Sequence, residues 1–385
     1  MAELGGDGEV KYFSEETLRE QISLLMRAWG MPEDYIDTTA RAMADADACG
    51  IDTHGISMLP PYFKRQRGKL ITIDGPVTIV NETPVSALID GGGGLGYVPG
   101  VTATNLAIKK AKEVGMASTI VRNSAHFGAT GYYTRMMAAE GLVGIATTSA
   151  ALRKVAPTFG KEPKFSTNPI AFAAPTKRNK TFSLDMATTT VAGGKVRNKY
   201  NENLPLPIGW ANDADGNPTT DATVVIEEQG GTQTPLGGTR ELGSHKGYGL
   251  AAMVEILSCA FSGAKIMTSD GDAQATPGSM DIGHFFLAIN PKIFNPDIPF
   301  EESVDQMIDD LHASTPVDPS QPVMVAGEPE HIMRDERKET KRPSNGITTS
   351  VVGGPGRHVP KVDEAGIAKV PGSGGWWRDR SRFAV

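Results

Sequence analysis

The chain has 385 residues, of which 39% are hydrophobic and 22% charged, and its formal net charge is -7. This length allows two or three domains with a buried core, and the composition is ordinary for a globular protein. The negative charge argues against nucleic acid or an anionic membrane as the main partner. The N-terminus lacks the pattern of a signal peptide, and the longest apolar stretch, 250–264, is too short to span a bilayer.

Two distant cysteines, Cys49 and Cys259, form neither a disulfide framework nor a zinc site. We therefore expect a reducing compartment and a cytoplasmic protein. The seven histidines include no pair with the spacing of a metal-binding helix, so no metal site is expected.

The first part of the chain has the apolar periodicity of helices. Ser14 is predicted to cap a helix that ends near Gly30, and a second helix covers about 33–49. The segment 51–55 then follows as a loop, before a third helical piece that runs towards Gly68. A final helix is predicted over 300–311.

From about residue 77 strands and helices alternate, which predicts an α/β class with a mixed sheet. Strands are expected over 85–90, 117–121, 142–148, 170–174, 181–184 and 284–289, and helices over 101–114, after 128 to about 140, and over 247–261. Residues after about 341 are rich in Gly, Pro and basic residues. They are either a flexible tail or, given the adjacent Trp376 and Trp377, a segment that docks on the body or a partner subunit.

The glycine run Gly91–Gly96 follows a predicted strand and fits the dinucleotide pattern G-x-G-x-x-G. Three features favour a flexible loop instead. Tyr97, Val98 and Pro99 separate the last glycine from the expected helix, no acidic residue closes a second strand about twenty residues later, and four consecutive glycines match the pattern by chance.

The loop Asp52-Thr53-His54-Gly55 carries a histidine that its neighbours can orient by hydrogen bonds and that can titrate near neutrality. Gly55 lets the backbone turn and lets a ligand approach. The spacing fits an acid/base histidine, and it also fits a helix-capping Asp beside an ordinary histidine.

Other polar residues stand where strands end, which is where open α/β sheets bind ligands. They are His126 in 124–128, Asn168 before a strand, and Asp185 in 184–188. Asp185 is equally suited to cap the helix expected after it, which the spacing alone favours. Lys246, at the start of a buried helix, suits a phosphate or carboxylate, or is simply a solvated lysine.

In order along about 15–340, these segments resemble the type-2 malate/L-lactate dehydrogenase family. That family includes sulfolactate, ureidoglycolate and diketogulonate dehydrogenases or reductases, and piperideine-2-carboxylate reductases. The matching segments are Asp52–Ile56 with Tyr62, Ser124–Gly128 with Tyr132, Thr167–Ile170, Leu184–Thr188, Leu204-Pro205 with Gly209-Trp210 and Asp213, Leu236–Gly238, and Lys246–Leu250.

The resemblance implies an enzyme that uses NAD or NADP on a non-Rossmann fold, usually as a homodimer with the active site between domains. It implies a helical domain (11–76 plus 295–340), a cofactor-binding α/β domain (77–294) and a C-terminal extension (341–385). His54 then corresponds to the family's proton donor or acceptor, Thr53 and Asp185 orient it, and His126 lines the nicotinamide and substrate pocket.

The resemblance also implies further contacts. Those with the cofactor are expected from His126, Phe127, Gly128, Asp185, Met186, Ala187, Thr188, His245, Lys246, Gly327 and Glu328, and those with the substrate from Met58, Tyr62, Thr167 and Asn168.

One position departs from the family, which commonly reads H-G-[IV]-x-R with an arginine that binds the substrate carboxylate. Here the position is Met58, and a thioether cannot replace a guanidinium fork. Either another cation (Arg153, Lys154, Lys195 or Arg197) takes over, or the substrate lacks that carboxylate. We expect a substrate bulkier or less acidic than malate or lactate.

Four activities remain open at this point. The first is a hydroxy acid dehydrogenase or ketone reductase, and the second is a reductase of cyclic or N-alkyl imino acids. A hydrolase with a Thr53–His54–Asp185 triad is disfavoured because threonine is a hindered nucleophile and no nucleophile turn surrounds it. The last is a catalytically inactive ligand-binding relative. NAD and NADP also stay open, since Lys177, Arg178 and Lys180 can receive a 2′-phosphate or form a solvated basic turn.

Overall fold

The computed structural model describes residues 12–150, 152–267, 280–339, 348–350, 361–362 and 368–369. The α-helices within these residues are α1 (Glu15–Ala28), α2 (Glu33–Ala48), α3 (Leu59–Arg67), α4 (Tyr97–Val114), α5 (Gly131–Ala139), α6 (Gly193–Asn201), α7 (Thr223–Ile226), α8 (Ser244–Glu255), α9 (Pro291–Phe294), α10 (Phe300–His312) and α11 (Glu328–Glu339). The strands are β1 (Tyr12–Ser14), β2 (Thr78–Glu82), β3 (Ser86–Asp90), β4 (Met116–Ser124), β5 (Val143–Thr148), β6 (Ile170–Ala174), β7 (Phe182–Met186), β8 (Ala211–Asn212), β9 (Pro218–Thr219), β10 (Thr232–Gln233), β11 (Ile282–Ile289), β12 (Thr348–Ser350), β13 (Lys361–Val362) and β14 (Ala368–Lys369).

The chain divides into two compact units. The first contains the residues up to Lys69 and from Pro329 onward, and the second is Leu70–Glu328. The domain prediction grouped 295–340 with the N-terminal helices, whereas α10 lies in the second unit. Asp305 of α10 explains this difference, since its carboxylate accepts hydrogen bonds from the backbone N–H groups of residues 177–179.

The first unit is built on α1 and α2, and it contains the ends of the chain. The apolar face of α1 is buried through Leu18, Ile22, Leu25 and Met26. The predicted cap is confirmed, because the Ser14 side chain accepts a hydrogen bond from the Thr17 N–H at 3.0 Å. Strand β1 pairs antiparallel with β12. The predicted docking of Trp376 and Trp377 lies outside the described residues.

The second unit is built on a seven-stranded sheet in the order β2-β3-β4-β11-β5-β6-β7. Strands β3 and β4 are parallel, and the other neighbours are antiparallel. The core contains Ile89, Val121 and Phe286 from the strands, together with residues of α4 and α5. This arrangement confirms the predicted α/β class with a mixed sheet.

The glycine run lies in the connection from β3 to α4, and one objection to the dinucleotide motif was wrong. Helix α4 begins at Tyr97, directly after Gly96, because proline at position 99 fits a first helical turn. The structure nevertheless explains two of these glycines without a ligand. A Cβ at Gly92 would lie 2.6 Å from the Gly75 carbonyl carbon, and one at Gly96 would lie 2.4 Å from the Ala125 oxygen. Close approach of the protein's own backbone therefore requires glycine here.

A smaller layer in the second unit was not predicted from the sequence. Strands β10, β8 and β9 form a three-stranded sheet, and Val196 of α6 packs with Leu206, Ala211 and Ala222. These strands are only two residues long, too short to show a period. Among the residues that the structure describes, no helix is long and apolar enough to cross a membrane.

Candidate functional site

His54 lies in a tight loop of the first unit, between α2 and a 3₁₀ turn at Ile56–Met58. Its backbone N–H donates to the Ile51 carbonyl at 2.9 Å. Its ring atom Nδ1 is 2.8 Å from Thr53 Oγ1. A threonine hydroxyl can accept the Nδ1 proton, and in that tautomer Nε2 carries the lone pair that a base needs. The structure thus brings together Thr53 and His54, the pair expected from the sequence.

The His54 ring is only partly exposed. Desolvation lowers the pKa of His54 from 6.5 to about 4, because a protein environment disfavours the imidazolium. The imidazole is therefore neutral near pH 7. The expected titration near neutrality is thus not found, and an imidazolium that persists near pH 7 requires a nearby negative charge or a bound anion.

The buried side chain of Asp47 holds this loop by a hydrogen bond. Its Oδ2 accepts a hydrogen bond from the Ile56 N–H at 2.8 Å. Burial raises the pKa of Asp47 to about 7, and the negative charge of Asp52 adds to this, whereas the Ile56 N–H and Arg337 oppose it. A Cβ at Gly55 would lie 1.9 Å from Asp47 Oδ1. Glycine at position 55 is thus needed for this internal contact, a reason that the sequence analysis missed.

The expected substrate residues of this unit differ in exposure. The Tyr62 side chain, on α3, is fully buried. Met58 ends the 3₁₀ turn with its side chain partly exposed, and its N–H donates to the Gly55 carbonyl at 3.0 Å.

The second unit holds His126 in the loop 124–128 after β4. Neighbouring groups fix the backbone of this loop, since the Gly96 N–H donates to the His126 carbonyl at 3.0 Å and the Tyr133 hydroxyl to the Phe127 carbonyl at 2.6 Å. His126 is partly exposed, whereas Phe127 and Gly128 are buried. The partly exposed side chain of the loop 124–128 is therefore that of His126.

His284 is the buried residue that the sequence analysis missed beneath this loop. Its ring stacks on Phe127 with the centroids 4.4 Å apart, Nε2 is 2.9 Å from Ser124 Oγ, and Nδ1 is 2.6 Å from Thr148 Oγ1. Desolvation lowers the pKa of His284 to about 3, so the ring is a neutral packing element. In the sequence it was hidden within an apolar strand.

Asp185 is exposed near the end of β7, and it does not occupy the N-cap position that the spacing favours. No helix follows it directly. Its Oδ2 instead accepts a hydrogen bond at 2.7 Å from the N–H of Gly131, the first residue of α5. The N-cap interpretation was thus wrong, because Thr130 occupies the N-cap position of α5 and Asp185 reaches this helix from 54 residues away in the sequence.

The segments next to Asp185 are held by hydrogen bonds that side chains donate. Met186 and Ala187 are partly exposed, whereas Thr188 is buried and its hydroxyl donates towards the carbonyls of Thr167 and Asn168. Asn168 is fully buried with φ 36°, and its amide nitrogen donates to the Ala251 carbonyl and Glu255. Its side chain therefore links to α8, and Thr167 is the more accessible of the two.

The remaining predicted cofactor residues lie at two helix starts. His245 and Lys246 are exposed in the first turn of α8, with Arg240 Nη1 3.0 Å from His245 Nδ1. Glu328 already has internal partners, since it bonds to the Val325 N–H at 2.8 Å and to His312 Nε2 at 2.8 Å. At Gly327, with φ 95°, a Cβ would lie 2.9 Å from Ser183.

The basic turn that could receive a 2′-phosphate is paired with acids of α10. Lys177 bonds to Glu302, and Arg178 bonds to Asp309 at 2.6 Å. These contacts favour the solvated, internally neutralised turn for both residues. In the part of the chain that the structure describes, no group of three His, Cys, Asp or Glu residues could hold a metal ion.

A family model described as malate/L-lactate dehydrogenase matches residues 13–348. The chain belongs to this family. It is 41% identical over 286 residues to a malate dehydrogenase of Pyrococcus horikoshii, covering 74% of this chain and 78% of that one. It is 37% identical over 324 residues to an L-sulfolactate dehydrogenase of Methanocaldococcus jannaschii, covering 84% and 90%. The resemblance found in the sequence is thereby confirmed, and the chain is an enzyme of the dehydrogenase class.

Solved structures give the same result for the fold. Malate dehydrogenase from Entamoeba histolytica matches with a TM-score of 0.82 and 31% identity, covering 89% of this chain and 95% of that one. A delta1-piperideine-2-carboxylate reductase from Pseudomonas syringae matches with a TM-score of 0.75 and 26% identity, covering 85% and 94%. One relative, 33% identical over 290 residues with 72% and 82% covered, is the (2R)-3-sulfolactate dehydrogenase (NADP(+)) of Chromohalobacter salexigens. A nicotinamide cofactor thus fits the family.

Proposed function

We propose that the protein transfers a hydride between nicotinamide and the carbon that bears the hydroxyl of a 2-hydroxy acid, with His54 as the acid/base. The supporting observation is the Thr53–His54 contact of 2.8 Å around an imidazole that is neutral near pH 7. As a hydroxy acid is oxidised, its hydroxyl loses a proton, and a positioned imidazole is suited to take it. In the reverse direction, the imidazolium must form first, and we assign its stabilisation to Asp185 and the anionic substrate.

The start of α8 fits the charge of a dinucleotide. Exposed Lys246 and His245 lie in the first turn of this helix, and in the described structure no side chain caps it. The Ser244 and Lys246 N–H groups bond to the carbonyls of Thr239 and Gly243, so the positive end of the helix dipole and the adjacent cations are the features that suit a pyrophosphate. A bound nicotinamide nucleotide would supply or accept the hydride. His126, Asp185 and the backbone of 186–188 are the other groups that we assign to its binding, without choosing between NAD and NADP.

For the substrate carboxylate, Lys154 is the best supported of the four alternative cations. It is partly buried, and no described carboxylate lies within ion-pair distance of its ammonium. Burial and then the positive charge of Arg197 lower the pKa of Lys154, and the negative charge of Glu228 opposes this only in part. Two cations that destabilise each other gain from an anion between them. Lys154→Met is therefore expected to raise KM for the hydroxy acid, while Lys199→Met, on a neighbouring helix, serves as the control.

The test is a panel of hydroxy acids and keto acids, followed at the nicotinamide absorbance with both cofactors in both directions. His54→Ala is expected to nearly abolish turnover without loss of NADH or NADPH binding, measured by nucleotide fluorescence. Thr53→Val should lower kcat more than Thr53→Ser, which keeps the hydroxyl. Unchanged turnover in His54→Ala would refute the acid/base assignment, and absence of nucleotide binding would refute the function.

The position of Met58 leads us to propose a substrate bulkier or less acidic than malate or lactate. A rate with malate, lactate or sulfolactate typical of a dedicated dehydrogenase would contradict this. The match to a piperideine-2-carboxylate reductase supports a second candidate, reduction of a cyclic or N-alkyl imino acid. Adding a cyclic imine to the panel separates the two. A cytoplasmic homodimer completes the proposal, and light scattering after size exclusion tests the dimer.

A further inference from the structure

The loop that carries His54 is held from the far end of the chain by Arg337 of α11. Arg337 Nη1 is 2.8 Å from Asp52 Oδ1, and Nη2 is 3.3 Å from Oδ2, so the guanidinium grips the carboxylate as a fork. The same Nη1 also donates to the backbone carbonyl of Asp47. One side chain thus joins the last turn of α2 to the residue two positions before His54.

Arg337 is only 5% exposed, which makes this a costly contact to build. A buried guanidinium is tolerated only when it is paired. Nη1 and Nη2 of Arg337 are paired, whereas its Nε has no hydrogen-bond partner among the described residues. A lysine could neutralise Asp52, but its single ammonium does not reproduce the planar fork that reaches two acceptors of the carboxylate and a carbonyl.

The loop is held on its other side by Asp47, which accepts the hydrogen bond from the Ile56 N–H at 2.8 Å. Between these two attachments lie three residues, Thr53 to Gly55. Such a short segment has little freedom once both ends are fixed. Motion of Asp52 would therefore displace the His54 ring directly.

We propose that Arg337 is a positioning residue that fixes Asp52 and, through it, the orientation of His54 in the reaction. This inference rests on the proposed function. It assigns to α11 a role in positioning the loop that carries His54. It also explains why residues beyond 328 belong to that unit.

The arrangement also controls charge near His54. Among the described residues, titratable or charged groups at this loop include Asp47, Asp52 and Arg337. While Arg337 is present, Asp52 is compensated. Without it, a carboxylate two residues from His54 is left unpaired, and the imidazolium becomes more favourable.

The experiment compares Arg337→Ala and Arg337→Lys with Arg334→Ala, all in the full chain. Arg334 is the matched control, because it lies one turn earlier on α11 and bonds to Asp45 and Cys49 but not to Asp52. We expect Arg337→Ala to lower kcat by roughly 10- to 100-fold, the scale of a small misplacement of a catalytic group, with little change in nucleotide affinity. Arg334→Ala should lose thermal stability and keep its kcat.

The His54 imidazole is titrated in parallel by NMR, with its resonance assigned by its loss in His54→Gln. Arg337→Ala should raise the His54 pKa by about one unit, whereas Arg337→Lys keeps the charge, leaves the pKa unchanged and still lowers kcat several-fold. Wild-type kcat together with a wild-type titration in Arg337→Ala would overturn the inference. So would equal effects in Arg334→Ala.

Should Arg337→Ala fail to fold, Arg337→Lys decides alone, because a wild-type kcat there overturns the requirement for the fork. The titration needs no substrate. If the wild-type protein shows no dehydrogenase activity, the proposed function is refuted. The Arg337–Asp52–His54 coupling still stands in that case if Arg337→Ala raises the His54 pKa as expected.

Discussion

Asp47→Asn should remove a pH dependence of stability that the wild-type protein carries. The wild-type carboxyl has its pKa raised from 3.8 to about 7, chiefly by burial. A raised pKa means that the folded state holds the proton more tightly than the unfolded state. The resulting stabilisation is complete below pH 3.8 and is lost as the pH rises through about 7.

The size of this effect follows from the shift. About three pKa units at 1.36 kcal/mol each give about 4 kcal/mol in full, of which about 3 kcal/mol is lost between about pH 5 and pH 8. Asparagine keeps the oxygen that accepts the Ile56 N–H but cannot ionise. The free energy of unfolding of Asp47→Asn should therefore fall by about 3 kcal/mol less than that of the wild type between about pH 5 and pH 8.

Urea unfolding at several pH values, followed by far-UV circular dichroism, measures the difference between the two proteins. Because the chain has two units, the transition that contains α1 and α2 is the one to compare. Subtracting the free energy of unfolding of the variant from that of the wild type at each pH cancels the contributions of His54 and His284. Their lowered pKa values change the stability in the opposite direction. A difference that stays constant from about pH 5 to pH 8 would refute the assignment of a proton to Asp47.

Three further substitutions test other contacts. Gly55→Ala drives a Cβ into the Asp47 carboxylate, so it should destabilise the protein by roughly 1–3 kcal/mol in urea unfolding. The variant should also have a lower kcat. A wild-type kcat would show that the loop tolerates displacement. His284→Phe keeps the stack on Phe127 but loses the bonds to Ser124 and Thr148. The substitution should lower the free energy of unfolding by roughly 1–3 kcal/mol. It should also remove the loss of stability that the wild type shows as the pH falls from 6.5 towards 3. The same dependence of stability on pH in the variant and the wild type would contradict this. Met58→Arg should lower KM for malate at least several-fold in steady-state assays, because it restores a fork for a carboxylate, and no change would move the anion site elsewhere.

The sequence predicted the parts of the fold that have a clear period. The apolar stripe of α1, the cap at Ser14 and the central strands were all found near their expected positions. The start of α4 differs from the prediction because Pro99 lies in its first turn, where a proline is tolerated. Asp185 was assigned to the helix that follows it because spacing cannot show a helix N-terminus brought close by β7.

The candidate site was predicted only where its contacts are local. Thr53 and His54 are adjacent in sequence, so their bond could be anticipated. Arg337 bonds to a residue 285 positions earlier, and nothing around it in the sequence marks it. His284 was hidden in the same way, as one polar residue in an apolar strand. Long-range contacts of this kind depend on the tertiary fold and leave no period.

The proposed acid/base step and the proposed substrate preference depend on different parts of the first unit. The His54 loop is held by Thr53, by the N–H of Ile56 on Asp47, and by the Asp52–Arg337 fork, none of which involves the side chain of Met58. Met58 contributes to the turn through its backbone N–H, which any residue except proline can supply. A change at position 58 can therefore alter the substrate without disturbing the histidine. Under the proposed function, this separation would let the chain share a reaction with relatives named for malate or sulfolactate while accepting a different acid.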